Sequence, residues 1–371
     1  MIDARDVDWT RHALALAQKG AYSVTPNPKV GAVIVKNDHA IGQGWHQKAG
    51  EPHAEIHALN DAIAQGHEVR GATMYVSLEP CNHFGRTPPC TQAIIDSGIS
   101  RVVAAMRDPH PKAAHGGEVL SASGIAFDLC DDLADEARAL NLGFISRVTK
   151  NRPFVRVKAA VSLDGRLAAA NGKSQWITGA AARRDGHHFR AMACALLTGI
   201  GTVLADDPSL LVRDVDTTRQ PLRIVLDTHG RMPRHAKVVT DGGKTLIITA
   251  APNYPIPAHE NIEVFTQNPP PHHHTIDLHA LMRELAEREI NELHVEAGSR
   301  INGALLEADL IDELLIYTAP SVLGQEGLPL FALSREGLET TQSRLDAFHR
   351  FHAVATYPLA PDICVRWQRK E

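Results

Sequence analysis

Three side chains in the first half of the chain are of the types that hold a catalytic zinc ion. His53 begins the tripeptide His53-Ala54-Glu55 before an apolar helix, and Cys81 and Cys90 come after the next predicted strand. One imidazole and two thiolates leave the fourth position of a tetrahedral zinc open, as a catalytic rather than a structural site requires. The metal lowers the pKa of a water in that position toward about 7. The pattern therefore predicts hydrolysis at a zinc centre.

Glu55 is predicted to carry protons at this centre without binding the metal. Hydrolysis at an amino-bearing ring carbon must protonate a ring nitrogen and release ammonia, and one carboxyl group can serve both steps. Side chains at i and i+2 within a helix face different ways, so His53 must lie at the helix entrance, where Pro52 fits. Cys81 and Cys90 are also expected at helix or loop entrances, where the positive helix end favours thiolate.

Strands and helices alternate on both sides of a polar segment at residues 147–152, which predicts two α/β domains over residues 1–149 and 150–371. We expect a mostly parallel, helix-covered sheet in the first. Its predicted helices are Asp8–Lys19, His53–Ala64, Thr91–Ser97 and Leu133–Leu140, and its predicted strands are Val30–Val35, Ile41–His46, Thr73–Leu78 and Arg101–Met106. For the second domain we predict strands Phe154–Val161, Ala195–Thr198, Leu222–Asp227, Leu246–Ala250, Leu293–Glu296 and Leu314–Thr318, with helices Ala180–Met192, Leu278–Arg288 and Asn302–Ala308.

Composition limits the classes of protein to be considered. A hydrophobic fraction of 44% and a charged fraction of 22% are typical of a soluble globular protein, and a net charge of −5 argues against broad nucleic-acid binding. We expect neither a signal peptide nor a membrane span, because no apolar run approaches the roughly 18 residues that a span needs. The five cysteines form no disulfide framework, which favours a reducing compartment, the cytoplasm. Residues 272–274, three histidines after three prolines, are expected in an exposed loop.

The spacing of the two cysteines departs from the general zinc-deaminase signature, in which two residues separate them; here eight do. With this spacing the sequence resembles the bifunctional riboflavin-biosynthesis deaminase/reductase family. The resemblance rests on Pro26–Gly31, Gly50–Glu55, Pro80–Cys90 and Asp108-Pro109. Asn82 stands where the family more often has Ser, and the region of His115 departs somewhat from its small-residue pattern. The resemblance implies a cytidine-deaminase-like α/β/α fold, with Asn27 and His46 holding the pyrimidine and its ribose phosphate.

Taken alone, the residues of the second half indicate an α/β domain and little more. Gly199-Ile200-Gly201 lacks the third glycine of the Rossmann fingerprint. A strand that ends at Glu296, followed by a Gly-containing turn at 297–303, fits either a phosphate cradle or a plain strand-to-helix turn.

The second half also resembles the reductase half of the same family, whose α/β fold is like dihydrofolate reductase. The matching stretches are Lys158 with Ser162–Arg166, Ser174–Thr178, Thr202–Pro208, Val295–Gly298, and Ala319-Pro320 with Leu323-Gly324. The resemblance implies NADPH binding by Ala160, Trp176, Thr202, Asp206, Thr228, Gly298, Ser299, Arg300, Ile301, Asn302, Gly303 and Ala304. It implies substrate binding by Lys158, Ser174, Arg190, Leu210, Arg213 and Glu296, with Lys158 also catalytic.

Three of these cations have a physical reason to bind an anionic substrate. Lys158 lies in an apolar strand, where an unpaired ammonium is costly, so we expect it to face a pocket; an edge-strand lysine that opposes aggregation is the alternative. Arg190 and Arg213 suit a 5′-phosphate because a guanidinium binds phosphate oxygens in a bidentate fork. The alternative for each arginine is a solvated surface position.

The two halves together predict a bifunctional riboflavin-biosynthesis enzyme that uses Zn²⁺ and NADPH. It would deaminate 2,5-diamino-6-(5-phosphoribosylamino)pyrimidin-4-one and then reduce the ribose of the resulting uracil compound. Its partner would be this pyrimidine ribosyl phosphate, without nucleic acid or membrane, and the family suggests a dimer or tetramer. One rival is a nucleic-acid base deaminase, which the charge of −5 and 5% aromatic residues disfavour. Another is a degenerate ligand-binding or dimerisation module in the second half, against which Lys158, Asp206 and Glu296 speak.

Overall fold

The computed structural model describes residues 2–85, 88–267, 275–334 and 351–370. The chain divides into two compact units, Met1–Arg152 and Pro153–Glu371. The three histidines at 272–274 lie outside the described residues. No helix among the described residues is both long and apolar enough to cross a bilayer.

The first unit is a five-stranded sheet in the order β2-β1-β3-β4-β5, packed between helices. Its strands are β1 Gly31–Lys36, β2 His39–Trp45, β3 Thr73–Val76, β4 Arg101–Ala104 and β5 Ala126–Leu129. Its helices are α1 Ala4–Gln18, α2 Ala54–Ala64, α3 Cys90–Ser97, α4 Gly116–Ala122, α5 Ala134–Leu140 and α6 Leu142–Lys150. The core contains fully buried strand residues such as Val33, Met74 and Val102.

The prediction of a mostly parallel sheet is wrong for one side of this unit. β1 runs antiparallel to both β2 and β3, whereas β3, β4 and β5 are parallel to one another. The two-residue turn Asn37-Asp38, with φ of 53° and 60°, closes β1 and β2 into a hairpin. Helix α2 then crosses from β2 to β3, which run in the same direction on either side of β1.

Two helix boundaries also differ from the predictions. Helix α1 begins at Ala4 rather than Asp8, because Asp3 and Asp6 form a reciprocal capping box. The segment predicted as a polar connector, 147–152, is largely the end of α6, whose Phe144 and Ser146 are buried. Only Asn151 to Pro153 lie between α6 and the next strand.

The second unit is built on a nine-stranded sheet in the order β11-β10-β9-β8-β12-β6-β13-β16-β15. Its strands are β6 Phe154–Ser162, β7 Arg166–Ala168, β8 Ala195–Gly199, β9 Leu222–Leu226, β10 Thr245–Thr249, β11 Ile262–Thr266, β12 Glu292–Val295, β13 Glu313–Ala319, β14 Leu328–Pro329, β15 Phe351–Leu359 and β16 Asp362–Arg369. Its helices are α7 Ala180–Met192, α8 Ile200–Asp206, α9 Lys237–Thr240, α10 Leu278–Glu287 and α11 Ser299–Glu307. The strands from β11 to β13 in this order are parallel, while β13, β16 and β15 are antiparallel.

Two candidate active sites

The three predicted zinc ligands lie close together in the first unit, two of them at helix N-termini and one in a loop. His53 is the N-cap of α2, Cys90 is the first residue of α3, and Cys81 lies in the loop after β3. The Nδ1 atom of His53 lies 3.6 Å from the sulfur of Cys81 and 3.3 Å from that of Cys90. All three ligand atoms lie within 4.8 Å of one another. The prediction that His53 lies at the entrance of the helix is therefore confirmed, because His53 is extended and the helix begins at Ala54.

This donor set fits a zinc ion. Bonds of about 2.3 Å to sulfur and about 2.0 Å to nitrogen give a tetrahedral S···N edge of about 3.5 Å, close to the two separations in the site. The backbone N–H of Cys90 points at the sulfur of Cys81 at 3.5 Å. The thiol of Cys90 also donates to Cys81, which lowers the pKa of Cys81 to about 4 and raises that of Cys90. One thiolate is thus favoured before any metal binds.

Glu55 lies beside the donor set and is almost fully buried. Among the described residues, its Oε2 atom has no hydrogen-bond partner. Burial raises the pKa of this carboxyl to about 7, with an opposing effect from His53. A carboxyl group with this pKa can accept and return a proton near neutral pH.

The two residues expected to hold the pyrimidine nucleotide contact each other near the donor set. The side-chain amide of Asn27 lies 2.9 Å from Nε2 of His46, whose Nδ1 is 3.0 Å from the carbonyl of Pro52. The His46 ring meets that of His53 edge-on, with centroids 5.2 Å apart. Burial lowers the pKa of His46, so its neutral form is favoured.

Two buried carboxyl groups near Cys81 were not singled out from the sequence. Glu79 accepts hydrogen bonds from the backbone N–H groups of Asp108, at 3.1 Å, and Gly117, at 2.8 Å. Burial raises the pKa of Asp108 to about 7. A Cβ atom at Gly116 would come within 1.9 Å of the carbonyl of Pro80, so the cysteine loop packs directly on the start of α4. The only sequence signal was the Asp108-Pro109 pair.

In the second unit, the expected cofactor residues follow neighbouring parallel strands. Thr228 comes after β9, Thr202 and Asp206 lie on α8 after β8, and residues 298–304 come after β12. Strands β9, β8 and β12 are adjacent in the sheet and β6, which carries Ala160, is next. The carboxyl ends of parallel strands at one sheet edge form the usual ligand-binding crevice of open α/β sheets.

Residues 298–304 divide into an open and a buried group. Among the described residues, no atom would lie within 4 Å of a Cβ atom at Gly298, so the backbone there borders open space. In contrast, Asn302 is buried and donates to the carbonyl of Leu330, and a Cβ at Gly303 would lie 2.0 Å from the carbonyl of Ala332. The open N-terminus of α11 fits an anionic group, while Asn302 and Gly303 bind the chain at 330–332.

Lys158, Arg190 and Glu296 form one ion cluster. Arg190 holds the Glu296 carboxylate with two N–H groups, at 2.5 and 2.8 Å, and the ammonium of Lys158 lies 3.9 Å from the same carboxylate. These cations keep the pKa of Glu296 well below its usual range despite burial. Lys158 is on β6, in the middle of the sheet, so the edge-strand alternative is wrong.

The bidentate face of Arg190 is therefore occupied by Glu296, and the alternative of a solvated surface arginine is also wrong. The same cluster contains a residue that the sequence did not indicate, His294, which is fully buried with Nε2 3.3 Å from Glu296. His294 and Glu296 alternate on β12 and its extension, a period-two signal that could have identified the histidine.

The other residues expected to contact the substrate or NADPH in the second unit include three that are more exposed than this ion cluster and one, Leu210, that is buried. Arg213 is exposed, and its backbone N–H donates to His187. Trp176 is 70% exposed, with the guanidinium of Arg183 4.6 Å from its ring centroid. Ser174 is half-buried. Leu210 instead packs its side chain in a hydrophobic cluster.

Comparison with known proteins assigns a class to each half. Residues 4–106 match the family model described as the cytidine and deoxycytidylate deaminase zinc-binding region, and residues 153–357 match that of the RibD C-terminal domain. The protein is thus a zinc-type deaminase joined to a RibD reductase domain. The predicted cytidine-deaminase-like and dihydrofolate-reductase-like halves are confirmed.

Relatives over the whole length define the family. The riboflavin biosynthesis protein RibD of Escherichia coli K12 is 43% identical, with 97% of this chain and 98% of the relative aligned. RibD of Haemophilus influenzae is also 43% identical, over 89% of this chain and 90% of its own. The chain belongs to the RibD family, and the prediction of a bifunctional riboflavin-biosynthesis enzyme is confirmed.

Solved structures agree over nearly the full length. Acinetobacter baumannii RibD, form 1, superposes with a TM-score of 0.86 at 38% identity, covering 99% of both chains. A diaminohydroxyphosphoribosylaminopyrimidine deaminase/5-amino-6-(5-phosphoribosylamino)uracil reductase from Thermotoga maritima superposes with a TM-score of 0.88 at 34% identity, again over 99% of both. The chain therefore matches these relatives over both of its domains.

Proposed function

We propose that this chain deaminates 2,5-diamino-6-(5-phosphoribosylamino)pyrimidin-4-one and then reduces 5-amino-6-(5-phosphoribosylamino)uracil with NADPH. The observation that carries the proposal is the pairing of two sites in one chain. One is a His-Cys-Cys donor set beside a buried, unpartnered Glu55 oxygen. The other is the Lys158–Glu296 cluster beside the carboxyl ends of parallel strands. The name of the Thermotoga maritima relative supplies the substrates.

In the first unit, His53, Cys81 and Cys90 would hold Zn²⁺, which when bound activates water as a nucleophile. Glu55 takes a proton from the water and passes it to a ring nitrogen as the C–O bond forms. Glu55 then takes the remaining proton of the new hydroxyl group and passes it to the amino group, which leaves as ammonia when the C–N bond breaks and the carbonyl forms. Burial supports both transfers because it raises the pKa of Glu55 to about 7.

Asn27 and His46 would orient the pyrimidine and its ribosyl phosphate at this site. Their contact at 2.9 Å keeps a polar pair beside the donor set. Because Nδ1 of the neutral His46 ring donates to the carbonyl of Pro52, Nε2 accepts from the Asn27 amide. This assignment rests on the family resemblance together with that proximity.

In the second unit, the open N-terminus of α11 with Thr202, Asp206 and Thr228 would hold NADPH, which supplies a hydride when bound. With the cofactor bound, C1′ of the ribosylamino group would gain a hydride, the bond between C1′ and the ring oxygen would break, and that oxygen would take up a proton from water as the ribose opens. Lys158 is suited to donate a hydrogen bond to the reacting ribose. Burial lowers its pKa, with Glu296 opposing this effect.

Arg213 is the better candidate for the 5′-phosphate of the second substrate. Its side chain is exposed, whereas the guanidinium of Arg190 is bound to Glu296 and the carbonyl of Leu211. We propose that Arg190 contributes by orienting Glu296, and that Glu296 contacts the ribose.

Coupled turnover tests the two activities together. Supplied with the diaminopyrimidine substrate, zinc-loaded enzyme should release ammonia before NADPH absorbance falls, and with the deaminated uracil compound it should consume NADPH alone. Ammonia release without NADPH consumption from either compound would favour a degenerate second unit. Deamination of single-stranded nucleic acid instead would favour the nucleic-acid rival.

We also propose self-association through the hairpin of β15 and β16. Ile363 and Trp367 on β16 are apolar yet 50% and 37% exposed. Sedimentation velocity should show an oligomer that Trp367→Glu shifts toward monomer, with Glu260→Gln on another exposed segment as the control. Wild-type protein that sediments as a monomer at all concentrations would contradict the proposal.

A further inference from the structure

The loop that carries Asn27 connects α1 to β1. Within it, the N–H of Asn27 donates to the carbonyl of Val24 at 3.0 Å. Asn27 must nevertheless be held accurately, because its amide meets His46 at 2.9 Å beside the zinc donor set. Hydrogen bonds from a distant part of the chain help to hold this loop.

Asn141 tethers the loop through Lys29. Its Oδ1 accepts the backbone N–H of Lys29 at 2.8 Å, and its Nδ2 donates to the backbone carbonyl of the same residue at 3.0 Å. One side-chain amide thus imitates a rung of a β-ladder and satisfies both backbone groups of Lys29. Asn141 is only 4% exposed, so water does not readily replace it.

The backbone around Asn141 holds this amide in place. Asn141 joins α5 to α6: its N–H donates to the carbonyl of Arg138, and its carbonyl accepts the N–H of Ile145, both at 2.9 Å. Two neighbours reinforce the tether, since the Lys29 ammonium caps the carbonyl of Leu140 and the Arg147 guanidinium lies 3.5 Å from the carbonyl of Pro26.

We infer that Asn141 is a positioning residue of the deaminase site, which acts through the Lys29 backbone to hold Asn27. The inference rests on the proposed function for the role of Asn27 in substrate binding. It extends the functional deaminase unit beyond the matched zinc-binding region, which ends at residue 106. Asn141 itself contacts neither the zinc donors nor, by this proposal, the substrate.

The first test compares Asn141→Ala, Asn141→Asp and the control Thr149→Ala in the full-length zinc-loaded enzyme. Thr149 is exposed on α6, and its hydroxyl donates to the carbonyl of Ile145 within the same helix. Hydrogen exchange of a peptide over residues 25–31 should accelerate in Asn141→Ala and less in Asn141→Asp, which keeps the acceptor for the Lys29 N–H. Unchanged exchange in Asn141→Ala would overturn the inference without any assumption about the substrate.

The second test is catalytic. Asn141→Ala should lower deaminase kcat/KM by roughly ten- to a hundredfold, as a small misplacement of a binding group does. Its zinc content and the reductase activity of the same chain should match those of Thr149→Ala, which excludes general unfolding. If wild-type enzyme fails to deaminate the proposed substrate, the proposed function is wrong, while the exchange result still decides the tether.

A double-mutant cycle separates positioning from a general structural role. If Asn141 acts through Asn27, Asn141→Ala should have little further effect on kcat/KM in an Asn27→Ala background. Fully additive effects would overturn the inference, because they would show that Asn141 acts by another route.

Discussion

The two sites differ in how their buried polar side chains are stabilised. The first gathers one imidazole and two thiols, of His53, Cys81 and Cys90, and leaves a Glu55 oxygen without a hydrogen-bond partner among the described residues. The second balances full charges, with Glu296 between Lys158 and Arg190. Replacing a residue of the first site should therefore lower the zinc content or the rate of deamination. Replacing a charged residue of the second site should also lower the free energy of unfolding, because a buried charge loses its partner.

The largest effect is expected for Cys90→Ser. The wild-type chain should bind about one zinc, and the variant should lose it because a hydroxyl is a poor replacement for thiolate. Ammonia release should then fall to background, while the enzyme continues to reduce the uracil substrate at the expense of NADPH. Metal analysis measures the zinc, and full retention in the variant would remove Cys90 from the site.

Glu55→Gln should come next, since it keeps the shape and removes the proton transfers. Deamination should fall by roughly 10²- to 10⁴-fold with zinc retained. Steady-state ammonia release and metal analysis on the same sample check both statements. Loss of zinc from this variant would mean that Glu55 is a ligand after all.

Arg190→Met tests whether the second site relies on paired charges. It should destabilise the region around β12 by about 3 kcal/mol, because Glu296 loses its bidentate partner. Native-state hydrogen exchange of β12 and α7 measures this loss, and Arg184→Met, at an exposed position of the same helix, is the control. Equal exchange in the two variants would show that the pair contributes no stability.

Arg213→Ala tests the contrast between an exposed arginine and the buried, paired Arg190. Because Arg213 is exposed, its loss should leave stability unchanged but weaken binding of the uracil substrate by about 1.5–3 kcal/mol if a phosphate contact is removed. Calorimetry gives the affinity, and Lys158→Ala should by contrast lower kcat. Unchanged affinity in Arg213→Ala would leave the phosphate to another residue.

The smallest effect is expected from a break between Arg152 and Pro153. The second unit has its own core, so as a separate fragment it should oxidise NADPH with the uracil substrate without added zinc. The break must follow α6, because that helix runs to Lys150 and carries Arg147. A folded fragment that binds NADPH yet transfers no hydride would support the degenerate-module rival.

The first site was more readable from the sequence than the second. Its ligands lie within 38 residues, with His53 and Cys90 at helix entrances and Cys81 in the loop between them, so local rules apply. Arg190 and Glu296 are 106 residues apart, so their pairing depends on the sheet order rather than on local pattern. The antiparallel strands β15 and β16 were missed because half-exposed strands lack the continuous apolar run of the central ones.

Some features had no usable signal in a single sequence. Asn141 looks like an ordinary polar residue between two helical segments, and only the structure shows its amide on the Lys29 backbone. Likewise, the capping box of Asp3 and Asp6 extends α1 past the point where its apolar periodicity starts. Neither feature could be predicted from periodicity, because the spacing of apolar residues carries no information on contacts between distant segments or on polar helix caps.

The tether between Lys29 and Asn141 has a consequence for how the enzyme matures. The two residues are 112 positions apart, so this loop closure carries a high entropic cost and belongs late in folding. On the ribosome the sheet strands β1 to β5 emerge before residue 141 does, and the N-terminal unit folds as it appears. We therefore expect a nascent deaminase unit to gain its core and its zinc donors first, and to become catalytically competent only when the last two helices have been synthesised.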